Sequence, residues 1–84
     1  MTTIKHYGAE QWCAPCRALK PVIQEIISQN PSVSYQYIDV DSNQAEATSA
    51  GIRSIPVVIV EKNGVETSRF VGIQSKAVYE QAIK

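Results

Sequence analysis

Apolar positions along the chain change period several times, and each change marks an element. Thr2 to Tyr7 mixes β-branched and aromatic side chains in a short run that stops at Gly8, which predicts a strand. From Cys13 the spacing lengthens: Cys16, Leu19, Ile23, Ile26 and Ile27 recur at three and four residues, with Arg17, Lys20, Gln24 and Glu25 between them. That stripe predicts an amphipathic helix of about four turns, ended by Asn30-Pro31. Pro21 falls inside it, where it removes a backbone hydrogen bond and crowds the carbonyl of Arg17, so a kink is expected one turn after the cysteines.

Ser34 to Val40 (SYQYIDV) alternates and predicts a second strand. Asp41 or Ser42 is placed to cap a short helix through Ala50, with Gly51 at its left-handed end. Pro56 to Val60 (PVVIV) is an unbroken β-branched run, the pattern of a central strand covered on both faces. Asn63-Gly64 signals a hairpin, so Val65 to Val71 returns antiparallel beside it. Ser75 then precedes a last helix with Val78, Ala82 and Ile83 on one face. The order βαβαββα predicts an α/β fold: a four-stranded mixed sheet, its first two strands parallel across a helical crossover, with helices on both faces.

Composition narrows the functional classes. At 84 residues, 44% hydrophobic and 19% charged, the chain has the make-up of one small globular domain spanning residues 1–84. Eight basic and eight acidic side chains cancel, and the Lys and Arg are scattered singly, which argues against nucleic-acid binding through phosphates. No apolar run approaches the ~20 residues of a membrane span. The N-terminus lacks the basic-then-apolar pattern of a secretory signal and begins with Met, so the expected compartment is the cytoplasm.

That setting bears on the two cysteines, which both lie in WCAPCR (Trp12 to Arg17). Tetrahedral structural zinc usually takes four Cys or His, and beyond Cys13 and Cys16 the only other such residue is His6, so no zinc site within the single chain is expected. A disulfide closing so short a loop adds little as a structural staple. Two inert core thiols would suit Cys16, on the apolar stripe, but leave Trp12 and Pro15 unexplained. Cys-x-x-Cys at the start of a helix after a strand is instead a redox arrangement. Unpaired N–H groups and the helix dipole favour a thiolate at Cys13. Cys16 lies one turn further in, as a resolving thiol would. Pro15 stiffens the first turn without costing a hydrogen bond.

These segments together resemble the thioredoxin family, shortened at the N-terminus to about the size of a glutaredoxin. The similarity runs through AEQWCAPCRALKP (Ala9 to Pro21), YIDVDSN (Tyr37 to Asn43), GIRSIPVVIVEKNG (Gly51 to Gly64) and VGIQSK (Val71 to Lys76). The resemblance implies a thioredoxin fold without its usual first strand and helix, and a thiol-disulfide oxidoreductase that binds no cofactor. Cys13 would be the attacking thiol and Cys16 the resolving one. Pro56 would be a cis-proline facing them, and Trp12, Ala14, Pro15, Ile55, Pro56 and Gly72 would form the apolar patch where protein disulfides dock. Electrons would come from NADPH through a thioredoxin reductase-like flavoenzyme, and the chain would act as a monomer on disulfide-containing proteins, without nucleic acid or membrane partners.

Three positions depart from the family pattern. Ala14-Pro15 replaces the usual Gly-Pro between the cysteines. A buried Asp in the preceding strand is missing, with His6, Tyr7 and Gly8 in that region, and a Lys that accompanies it is absent near Tyr37. Proton transfer from Cys16 is therefore expected to use water or His6, or to go unassisted. Two other readings compete for the whole. A glutathione-fed glutaredoxin matches in size, but Gly72-Ile73-Gln74 offers no acid to hold the glutathione amine. A thioredoxin-like binding subunit of a larger enzyme would have no need of the second cysteine.

Overall fold

The computed structural model describes residues 1–84. Its elements follow the predicted order: β1 (Thr2–Gly8), α1 (Ala14–Gln29), β2 (Val33–Asp39), α2 (Gln44–Ser49), β3 (Val57–Lys62), β4 (Val65–Val71) and α3 (Lys76–Ala82). The four strands lie in the order β2-β1-β3-β4, with β1 parallel to β2 and antiparallel to β3. The hairpin β3–β4 turns on Asn63 (φ 55°) and Gly64 (φ 82°), the two left-handed residues a type I′ turn requires.

Strand alternation splits the core between the two sheet faces. Ile4, Val33, Val58 and Val60 face α1 and α3, where they meet Leu19, Ile23, Ile26 and Tyr79. Tyr7, Ile38, Val57 and Ile59 form the other face, covered by Val40, Ala50 and Ile52 around the end of α2. β3 supplies both clusters, which is why its run is apolar without interruption. A third, smaller cluster of Ala9, Cys13 and Cys16 joins the start of α1 to the end of β1. No helix is long and apolar enough to cross a membrane.

Two local expectations are corrected. The side chain that organises the turn before α2 is Asp39, not Asp41 or Ser42: its Oδ1 accepts from the backbone N–H groups of both those residues, at 2.9 and 3.2 Å. The helix itself begins after Asn43, which makes no side-chain cap bond. In α3 the buried residue is Tyr79, while Val78 is exposed; the Tyr79 hydroxyl accepts from Gln74 N–H at 2.9 Å and its ring meets Phe70 edge-on. A tyrosine whose hydroxyl finds a partner packs as deeply as an aliphatic residue, and the apolar stripe alone passed it over.

Candidate active site

The chain leaves β1 at Gly8 and makes one tight turn before α1. Trp12 and Cys13 N–H groups both donate to Ala9 O, at 3.2 and 2.9 Å. Arg17 Nη1 donates to Glu10 O at 2.9 Å and Lys20 Nζ pairs with Glu10 at 3.1 Å, so α1 clasps the turn that precedes it. Cys13 is the helix N-cap in extended conformation, and its sulfur accepts the Cys16 N–H at 3.2 Å. Pro15 sits in the first turn, where its missing N–H is no loss. The two sulfurs are joined as a disulfide with Cα atoms 5.2 Å apart. Both cysteines are buried, Cys13 at 6% exposure and Cys16 at 1%.

Of the expected docking residues outside the WCAPC stretch, Ile55 packs against this pair. Ala14 and Pro15 are exposed on the first turn of α1. Trp12 is 62% exposed, and its indole N–H donates to Asp41 Oδ2 at 2.7 Å. Ile55 is half-buried against the cysteine cluster, beside Val40. The Ile55–Pro56 peptide is cis, and the Pro56 carbonyl accepts the N–H of Gly72 at 2.8 Å, tying the end of β4 to the same loop. Trp12, Val40, Ile52 and Ile55 line a shallow apolar groove, with Arg53 and Ser54 as its polar members. Val40, Ile52 and the Asp41 anchor of Trp12 were not foreseen; their signal was the location of two loops that reach the same end of the sheet. No three His, Cys, Asp or Glu side chains converge on a point that could hold a metal ion.

Behind the cysteines the sheet carries a buried polar group that sequence spacing did not resolve. His6 is fully buried, with Nδ1 within hydrogen-bond distance (3.1 Å) of the Tyr35 hydroxyl and its ring edge-on to Tyr37. Burial lowers its pKa to about 4, helped by the Lys20 ammonium, so the imidazole is neutral. Burial likewise pushes Tyr35 up to about 12. Tyr37 and Cys16 both approach Gly8. A methyl group on Gly8 would lie 3.0 Å from the Tyr37 hydroxyl and 3.1 Å from Cys16 Sγ, so the phenol and the sulfur flank one small space above a bare Cα. The parallel register, with His6 opposite Tyr37 and Gly8 opposite Asp39, puts them there.

A disulfide at a helix N-terminus, beside an exposed Trp and a cis-proline loop, is an arrangement suited to thiol-disulfide exchange. Comparison with known proteins agrees with this geometry. Residues 3–84 match the family model Thioredoxin. The chain belongs to the thioredoxin family. It is 36% identical over 66 residues to a thioredoxin of Chlamydia muridarum and 40% identical over 67 residues to one of Rickettsia bellii, in each case over 79% of this chain. These matches span 65% and 64% of the relatives' own length. Among solved structures, a point-mutant thioredoxin from Halobacterium salinarum superposes with a TM-score of 0.91 at 30% identity, covering 98% of this chain and 71% of that one. Fasciola hepatica thioredoxin gives 0.86 at 28% identity, covering 96% and 77%. The four-stranded βαβαββα unit is thus a thioredoxin fold.

Proposed function

We propose that residues 1–84 act as one domain, a thiol-disulfide oxidoreductase that reduces protein disulfides through Cys13 and Cys16. The observation that carries this reading is the Cys13–Cys16 disulfide at the N-terminus of α1, with the Cys16 N–H aimed at Cys13 Sγ. In the reduced form the Cys13 thiolate attacks a substrate disulfide; one substrate sulfur leaves as a thiolate and the other stays bonded to Cys13. Cys16 then loses its proton and attacks Cys13 Sγ, which closes the intramolecular disulfide and expels the second substrate thiolate. Two electrons pass from the dithiol to the substrate, and the two protons end on its thiols.

The greater exposure of Cys13 and its place at the helix terminus support the attacking role, and the deeper burial of Cys16 supports the resolving one. The groove between Trp12 and Ile55, together with Ala14, Pro15, Pro56 and Gly72, is the docking surface for an extended substrate segment. A thioredoxin reductase-like flavoenzyme, fed by NADPH, returns the disulfide to the dithiol, and the chain works as a monomer in a reducing compartment such as the cytoplasm, with no bound cofactor.

The test is insulin-disulfide reduction with NADPH and either thioredoxin reductase or the glutathione pathway as electron donor. Activity is expected with the first donor; activity only with glutathione would move the chain to the glutaredoxin class. Cys13→Ser is expected to abolish turnover, and Cys16→Ser to accumulate a mixed disulfide on Cys13, read by mass spectrometry. An adduct on Cys16 in the Cys13→Ser protein would reverse the two roles.

A further inference from the structure

Two buried side-chain atoms have no hydrogen-bond partner: His6 Nε2 and the Tyr37 hydroxyl. An orphaned buried hydroxyl is unfavourable, and native proteins keep few of them. Here the orphan faces a sulfur whose charge changes during the reaction. In the disulfide, Cys16 Sγ is a poor acceptor, so the phenol has nothing to give its proton to. Once Cys16 becomes a thiolate, the same sulfur is an anion in a buried site, where a donor is worth most.

Resting on the exchange proposed above, we propose that the Tyr37 hydroxyl donates a hydrogen bond to the Cys16 thiolate as it forms, and so promotes release of the reduced substrate. The phenol keeps its own proton throughout. The proton lost by Cys16 passes through solvent to the departing substrate thiolate, while the Cys16–Cys13 bond forms and the Cys13–substrate bond breaks. Gly8 makes the approach possible, because any side chain there would occupy the space between phenol and sulfur.

The surroundings fit a neutral donor. Burial and the carboxylates of Glu10 and Asp39 hold Tyr37 above its ordinary pKa, against a weaker pull from the Glu10 backbone, so it stays protonated through the working range. From β1, the His6 ring meets Tyr37 edge-on and is neutral. From α1, the Lys20 ammonium lies 4.9 Å from the Tyr37 ring centroid and pairs with Glu10. Tyr35, on the same strand, is engaged with His6. Of these groups, the Tyr37 hydroxyl is the one that shares the space over Gly8 with Cys16 Sγ, and its proton has no acceptor.

The experiment titrates Cys16 alone, in a Cys13→Ala background that leaves one thiol and no neighbouring charge, as the mixed disulfide does. Thiolate absorbance and the rate of iodoacetamide alkylation are followed against pH with Tyr37 and with Tyr37→Phe. Loss of a hydrogen bond to an anion is expected to raise the Cys16 midpoint by about one unit and to slow alkylation about tenfold below it. Because the titration needs no substrate, it stands or falls separately from the exchange activity. Tyr37→Phe keeps the ring and deletes only an unpartnered atom, so the oxidised protein is expected to be as stable as the parent or more so. A second comparison adds Gly8→Ala, whose methyl separates the pair; the effect of Tyr37→Phe should then vanish. Equal midpoints with and without the hydroxyl, or an equal effect of its loss in the Gly8→Ala background, would overturn the proposal.

Discussion

His6 shows what a single buried side chain does to the pH response of the molecule. The folded protein holds its imidazole neutral, with a pKa of about 4 against the ordinary 6.5, because charging it would place a cation in a sealed site next to Lys20. Between those two values the unfolded chain binds the extra proton and the folded chain does not. Stability therefore rises with pH through this window and is lost as pH falls from 6.5 towards 4. A displacement of that size corresponds to roughly 3 kcal/mol. Urea titrations at stepped pH check it, comparing the parent with His6→Gln, which keeps a polar side chain near Tyr35 but cannot titrate. The parent should lose about that much more stability than the variant on acidification; parallel curves would mean that His6 is not held neutral. The same depressed pKa makes His6 a poor relay for the Cys16 proton at neutral pH, contrary to one of the routes its sequence position left open.

Among the elements, the β3–β4 hairpin offers the cleanest test of backbone conformation. Gly64 has φ 82° and nothing within 4 Å of where a Cβ would stand, so Gly64→Ala meets no neighbour and differs only in backbone preference. The expected cost is about 1 kcal/mol, with activity unchanged, measured by urea unfolding and insulin reduction on the same samples. A variant as stable as the parent would show that the turn relaxes into another type. This hairpin was legible from Asn63-Gly64 alone, and α1 from its apolar stripe, because both signals are local. So was the Cys13–Cys16 site, since helix N-terminus, Pro15 and both thiols lie in one short stretch. Residues whose role depends on a neighbouring strand were not legible. Tyr37 marks only the place of a missing Lys until the parallel register sets it across from His6, and Gly8 reads as a strand end until its missing side chain is seen to leave room for the phenol. Asp39 took the turn before α2 from Asp41 and Ser42 because the chain bends one residue earlier than the alternating pattern suggested. Asp41, released from that task, holds the Trp12 indole instead.

On the scale of the whole molecule, the disulfide links redox state to folding. Cys13 and Cys16 are three apart in sequence, so the loop they close is among the shortest possible and restricts the unfolded chain only modestly. The chain-entropy relation gives about 2 kcal/mol for a loop of this length. The oxidised protein should exceed the reduced one in stability by about that amount. By the thermodynamic cycle, the same free energy is the bias that folding places on the thiol pair: the native dithiol should be a stronger reductant than the unfolded one by about 40 mV. On the proposal above, the Tyr37 hydroxyl works in the other direction once Cys16 is ionised, since it then stabilises the thiolate of the reduced form and nothing in the oxidised one. Above the Cys16 midpoint, Tyr37→Phe should therefore widen the gap. Urea unfolding with and without reductant measures the first quantity, and equilibration of the folded protein and of the isolated WCAPCR peptide with glutathione measures the second. The two values must agree within the cycle. A reduced form more stable than the oxidised one would mean that native interactions with the free thiols outweigh the loop, and a gap that narrows in Tyr37→Phe would place the phenol on the oxidised side of the balance.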